Sequence, residues 1–247
     1  MITRRIKKSA LAACLSASLS TLLYLPALAQ NMSLNDHHAF TEKLVQGESW
    51  QPGNAFLDKA YQQVCGFKDY VFDSSLTANK NGKSVQNGGK FFFKKEHQLR
   101  VEVHSKGNNN GAVVVKRQDG VIRGAGGGML KFMKMNLQHD SRMLMLPNGI
   151  NVVDSDFKSL FDRVRKNLKS GATAKVTANS VPCYNWSGKV KIIDIKNGNQ
   201  LKDRILVSTT YNVPVEWNLY KNGKLVSIAL FKKFKPNLGL SDKLFDI

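Results

Sequence analysis

The chain has 247 residues, of which 42% are hydrophobic and 22% charged, and its 37 Lys and Arg outnumber 18 Asp and Glu for a net charge of +19. That balance excludes a disordered or low-complexity chain, which lacks the apolar surface to offset its ordering entropy, and the length suits one domain with a sizeable core. The surplus of cations points to anionic partners, whether nucleic acid, anionic lipid or acidic envelope polymer.

The first element is a leader. Arg4, Arg5, Lys7 and Lys8 precede an apolar run over residues 9–25, followed by Pro26 and the small residues Ala27 and Ala29. A basic start, an apolar core and a small-x-small site describe a secretory signal peptide cut after Ala29, with an uncleaved membrane anchor as the alternative. The string LAAC, residues 11–14, looks like a lipoprotein processing box, but about five residues would separate Lys8 from Cys14, too few for an apolar core. The expected mature chain is residues 30–247, a single domain in the periplasm, and removing the four leader cations takes the net charge from +19 to +15. Export turns the expected anionic partner from nucleic acid towards membrane or envelope polymer. Cys65 and Cys183 remain, and an oxidising compartment makes them a disulfide candidate; two separate buried thiols are the alternative.

Residues 35–47 read as a helix that Asn35 or Asp36 can cap, with Phe40, Leu44 and Val45 on one face. Residues 55–64 read as a second short helix. From Phe67 to Ala125 the chain is rich in β-formers and punctuated by NKNGK, SKGNNNG and RQDG, where Asn and Gly tolerate the positive φ of tight turns. Leu99, Val101 and Val103 alternate with Arg100, Glu102 and His104, the signature of a strand with one dry face. A third helix spans residues 154–171: Asp154 or Ser155 caps it, and Phe157, Leu160, Phe161, Val164 and Leu168 form its apolar stripe. Lys166 and Lys169 sit in its last turns and Gly171 closes it. Strands resume over residues 173–234, and Asn222-Gly223 marks a hairpin. Helix, helix, strands, helix, strands define an α+β domain with one large antiparallel sheet.

The stretch VIRGAGGGMLKFMKMNL, residues 121–137, has the glycine density of a phosphate loop. Gly124 and Gly126 fit a dinucleotide fingerprint, but Met129 occupies the third glycine position, and Gly128 is followed by Met129 and Leu130 where a P-loop needs Lys and Ser or Thr. The glycines instead read as a bend. Met129, Leu130, Phe132, Met133 and Met135, with Met143 and Met145 beyond, can form a deformable apolar wall, because methionine adapts its shape to varied apolar partners; ordinary core filling is the alternative.

Catalytic arrangements are absent from the string. His37 and His38 are adjacent on a helix, His97 and His104 fall on opposite faces of a strand, and His139 lies beside Asp140 in a turn. There is no HExxH, CxxC or G-x-S-x-G, and Asp154 with Asp156 reads as a helix start. The expectation is a non-catalytic protein with no cofactor and no metal.

Three segments resemble the LolA-like lipoprotein carrier superfamily, and within it an exported bacterial family known only as a domain of unknown function. The strand pair GAVVVKRQDGVIRGAGGG is similar to that family's display of a small glycine loop, and residues 129–164 to its run of strand, loop and short helix. The C-terminal segment is the most specific, with Pro214, Val215, Asn237, Gly239, Leu240, Asp242 and Phe245 in the carrier pattern. The resemblance covers about residues 60–247 and implies a curved antiparallel half-barrel with helices covering the concave face. It implies a monomer that takes lipid or acyl chains between sheet and helices. Under it the cavity candidates are Met129, Leu130, Phe132, Met133, Met135, Met143 and Met145 at one rim, with Leu160, Phe161 and Val164 from the third helix. Arg100, Arg117, Arg123 and Arg142 compete for the place of a cavity arginine. A basic module that binds an anionic polymer or a protein partner, and carries no lipid, is the alternative.

Overall fold

A computed structural model describes residues 33–80, 82–105, 109–128 and 132–247. The expected leader, and Met129 and Leu130, lie outside the described residues. Among the described residues three helices, α1 (Leu34–Val45), α2 (Asn54–Gly66) and α3 (Phe157–Lys169), pack on one sheet. The strands are β1 (Trp50–Pro52), β2 (Asp69–Lys80), β3 (Lys83–Lys94), β4 (Gln98–Val103), β5 (Val113–Lys116), β6 (Ile122–Ala125) and β7 (Lys134–Leu137), then β8 (Thr173–Thr177), β9 (Val181–Pro182), β10 (Lys189–Asn197), β11 (Gln200–Ser208), β12 (Pro214–Lys221) and β13 (Lys224–Pro236). Their order is β1-β8-β10-β11-β12-β13-β2-β3-β4-β5-β6-β7, with β9 beside β10. The sheet is antiparallel throughout and does not close, so β1 and β7 are its edges. Two meanders, β2 to β7 and β10 to β13, are fused where β13 pairs with β2, Ile228 opposite Thr77 and Phe231 opposite Ser74.

Alternation along the strands gives the sheet two faces. The inner face carries Tyr70, Phe72, Phe91, Phe93, Ile193, Ile205, Trp217 and Phe231, and the main core forms where α2 (Leu57, Ala60, Val64) and α3 lie on it. The outer face carries Val190, Ile192, Leu206 and Val215, packed against Leu44 and Val45 of α1. The sequence suggested that the helices cover the concave face; α2 and α3 line the inner face, while α1 lies on the opposite one. The buried residues of α1 are His37 and Thr41, a polar strip matched to Arg204, Glu216 and Asn218 and unsuited to an aromatic wall.

Both capped helices start elsewhere than the residues suggested. Ser33 caps α1 in a capping box with Asp36, because the serine oxygen accepts from a free N–H while the aspartate reaches back. Asp156 caps α3, accepting from Ser159 N at 3.0 Å. Asp154 lies instead in a preceding single turn and meets His139 Nε2 at 2.9 Å. Phe157, the first residue of α3, donates its backbone N–H to Tyr70 Oη at 3.1 Å. Its ring stacks on Phe72 at 4.7 Å and Tyr70 at 5.3 Å. One side chain and one hydroxyl therefore seat the helix on the centre of the sheet.

Truncating fully buried Phe157 to Ala should cost about 3–5 kcal/mol in urea unfolding. Tyr70→Phe, which strands that N–H but keeps the stack, should cost about 1–3 kcal/mol.

Candidate ligand cleft

Where the two meanders meet, the inner face is not filled. Ser74 and Leu76 of β2, Ser227, Ala229 and Phe231 of β13, and Trp217 and Leu219 of β12 form the floor of a cleft; Leu160 and Arg163 of α3 and the hairpin residues Leu146, Asn148 and Ile150 form its roof. The small side chains of Ser74, Ser227 and Ala229 make the space. The hairpin turns at Gly149, whose φ of +82° only glycine adopts readily, and Asn148 Nδ2 donates to Ser227 Oγ at 3.4 Å. The cleft has about 40 Å³ of open volume, well below the roughly 150 Å³ of an apolar cavity that admits benzene and too little for an extended acyl chain. Room for one requires the hairpin or α3 to move.

Arg163 is the one charged residue in that lining. Its guanidinium lies over the Trp217 ring at 5.3 Å, an attraction that strengthens when the cation is desolvated. Its Nη2 is 3.6 Å from Asp203 Oδ1, and among the described residues its Nε and Nη2 have no hydrogen-bond acceptor. Burial pushes the arginine pKa down and, more than Arg163 pulls it back, pushes the Asp203 carboxyl up. Asp203 also accepts from Trp217 Nε1 at 2.8 Å. The four arginines considered from sequence lie elsewhere. Arg100 is held by Glu102 and the Leu244 carbonyl, Arg117 and Arg123 by Asp246, and Arg142 is exposed. Arg163 was legible in one respect: it sits three residues after Leu160, on the same side of the helix.

The remaining candidates separate. Leu160 reaches the cleft, and Phe161 and Val164 are fully buried beside it in the core. Phe132, Met133, Met135, Met143 and Met145 lie on the surface, with Phe132 at 80% exposure. The reason is position: among the described residues β7 is the last strand of the sheet, and of the following turn Leu144 is the buried side chain. Both cysteines are free thiols, which corrects the disulfide candidate. Cys65 lies on α2, on the inner side, whereas Cys183 packs in the outer-face cluster, so the sheet stands between them. Cys183 donates to Asn185 Oδ1 at 2.7 Å, and burial pushes its thiol pKa up.

A second polar cluster lies under α1, on the outer face. Fully buried Glu216 accepts from Tyr184 Oη at 2.7 Å and Asn218 Nδ2 at 2.8 Å, and His37 Nδ1 lies 2.7 Å from the same tyrosine oxygen. Next to it Arg204 grips Asp194 through two bonds of 2.6 and 2.9 Å and Glu42 through a third of 2.6 Å. Burial pushes the Glu216 pKa up against the pull of these donors. Its acid, tyrosine and imidazole are stacked beneath a helix, away from the cleft. Among the described residues no set of three His, Cys, Asp or Glu side chains is arranged to hold a metal, and no helix is long and apolar enough to cross a membrane.

No protein-family model matches the chain, and no curated protein matches it in sequence. Solved structures do resemble it. A DUF1329 family protein from Desulfovibrio piger is 12% identical over 79% of this chain and 98% of that one, with a TM-score of 0.42. A LolA superfamily protein from Nitrosomonas europaea is 9% identical over 80% and 98%, with a TM-score of 0.41. MucB is 11% identical over 80% of this chain, which spans 64% of MucB, with a TM-score of 0.49; MucB has also been solved in complex with MucA. What this chain's own topology shows is an open antiparallel sheet with helices, and every residue role rests on its own geometry.

Denatured, unreduced protein should release two thiols per chain of residues 30–247 to a thiol reagent, and gel mobility should not change on reduction. For Glu216 the folded pKa lies above the unfolded one, so its favourable contribution is complete below the ordinary carboxylate value of about 4.3 and disappears as pH rises through the folded pKa. Unfolding free energies of wild type and Glu216→Gln, compared across that range, should shift in favour of the variant with rising pH.

Proposed function

We propose that this protein binds lipid or acyl chains in the cleft between sheet and α3, without catalysing a reaction. The observation that carries the reading is the pairing of an apolar lining with one cation whose Nε and Nη2 lack acceptors. A buried donor left unmade is costly, and a carboxylate, phosphate or carbonyl head group would satisfy it. Burial of methylenes supplies the affinity: at roughly 0.8 kcal/mol each, sixteen carbons provide about 12 kcal/mol before the costs of ordering. Admission is a conformational step. The hairpin over residues 145–151 is tied to the floor by the one long Asn148–Ser227 bond among the hydrogen bonds described, and its displacement opens the cleft along the seam. The leader expected in the sequence supports the periplasm as the compartment of this binding.

The net charge supports a second reading, a module that holds an anionic polymer through its lysine-rich surface. Salt separates the two: polyanion binding weakens steeply with ionic strength, whereas burial of an acyl chain barely responds.

Native mass spectrometry of protein isolated from its own cell envelope should show a co-purified lipid. A fluorescent fatty acid should bind, and Ala229→Phe, which fills the cleft floor, should weaken it about ten-fold or more while thermal stability stays within a few degrees. Arg163→Lys, which keeps the charge but not the planar fork, should weaken a fatty acid more than the matching alcohol. Absence of both co-purified lipid and fatty-acid binding would remove this function.

A further inference from the structure

Among the described residues, Phe132, Met133, Met135, Met143 and Met145 do not line the cleft, and their exposure has another physical reason. Among the described residues eight large apolar side chains are exposed, and five of them fall within one stretch of chain: Phe132, Met133 and Met135 in or just before edge strand β7, and Met143 and Met145 in the turns that follow it. Exposed apolar groups scattered singly need no explanation; a concentration marks an interaction surface. The chemistry around it selects the partner. Lys134 and Arg142 are exposed among the apolar side chains, and Asp140 is the one acidic residue between positions 132 and 150. Apolar side chains interleaved with cations suit the head-group layer of an anionic bilayer, where the apolar groups sink to the acyl boundary and the cations meet phosphates. Methionine suits that role because it follows the shape of a fluid partner. Edge strand β7 is four residues long and carries Lys134 and Asn136 between its apolar positions, which discourages pairing with another strand.

The patch is also continuous with the cleft. Met145 begins the hairpin whose Leu146 and Ile150 roof it, and Met143 lies in the single turn just before; both side chains are exposed. A membrane that receives the methionines therefore meets the movable roof.

We propose that the edge formed by Phe132, Met133, Met135, Met143 and Met145 docks on an anionic lipid surface and presents the hairpin, and so the cleft mouth, to the acyl layer. The docking surface stands on exposure and charge alone; its use for loading rests on the function proposed above. Sedimentation with vesicles of phosphatidylcholine containing about 30% phosphatidylglycerol tests it. Wild type should partition onto these vesicles and less onto neutral ones. Phe132→Ser combined with Met143→Ser, both at exposed positions, should lower the partition coefficient about ten-fold or more, with thermal stability and binding of a soluble fluorescent fatty acid unchanged. Lys134→Glu with Arg142→Glu should abolish the preference for anionic vesicles. Retention of wild-type partitioning by both pairs of variants overturns the proposal. So does a wild type that ignores vesicles but self-associates through the patch, seen as a dimer that the serine variant converts to monomer. Fatty-acid binding by wild type in free solution is read separately, so a failed cleft and a failed docking edge give different results.

Discussion

The structure depends on the pairing of β13 with β2. Positions about 150 residues apart in sequence lie opposite one another, Ser227 with Ala78 at one end and Pro236 with Tyr70 at the other. Such a pairing yields nothing until a long loop has been closed. The ring stack of Tyr70, Phe72 and Phe157 lies along this line, with Phe231 edge-on to it, and α3 is seated there by the same residues. The cleft is a consequence of the seam. Ser74 and Leu76 come from one side of it, Ser227 and Ala229 from the other, and no aromatic ring from either meander fills the space between.

The two faces of the sheet solve different problems. The inner face is aromatic and aliphatic and holds its helices by burial; Arg163, at the margin of that apolar packing, lies over Trp217 and 3.6 Å from Asp203 without a hydrogen bond to it. The outer face under α1 is held by charge and hydrogen bonding in two adjacent sets, His37, Tyr184 and Glu216 in one and Arg204, Asp194 and Glu42 in the other. Buried networks of this kind are costly when one partner is removed and contribute little beyond an apolar replacement when intact. What the network confers here is selectivity for where α1 lies. A helix whose buried side chains are a histidine and a threonine has one partner surface in the molecule.

Much of the architecture was legible in the string. The alternation of Leu99, Val101 and Val103, the hairpin at Asn222-Gly223 and the stripe of Phe157, Leu160, Phe161 and Val164 each carry their own period, and the structure has a strand, a turn and a helix there. The cleft was legible only in Leu160. A methionine-rich run looks the same in sequence whether a neighbour covers it or not, and among the described residues β7 is the last strand of the sheet. Ser74, Ser227 and Ala229, whose smallness makes the cavity, carry no signal in isolation, since small residues become a void only when opposed by one another across a pairing.

By itself the sequence determined the local periods, the charge, the absence of a recognisable catalytic spacing and the α+β class, because each of these follows from residues within a few positions of one another. Only the tertiary structure decided that α1 lies on the outer face, that Cys65 and Cys183 are kept apart by the sheet, that Arg163 rather than Arg100, Arg117, Arg123 or Arg142 faces the cleft, and that the methionines are exposed. All four depend on which strands become neighbours and which become edges, and that is set by the long-range register of β13 on β2, to which no short stretch of chain bears witness.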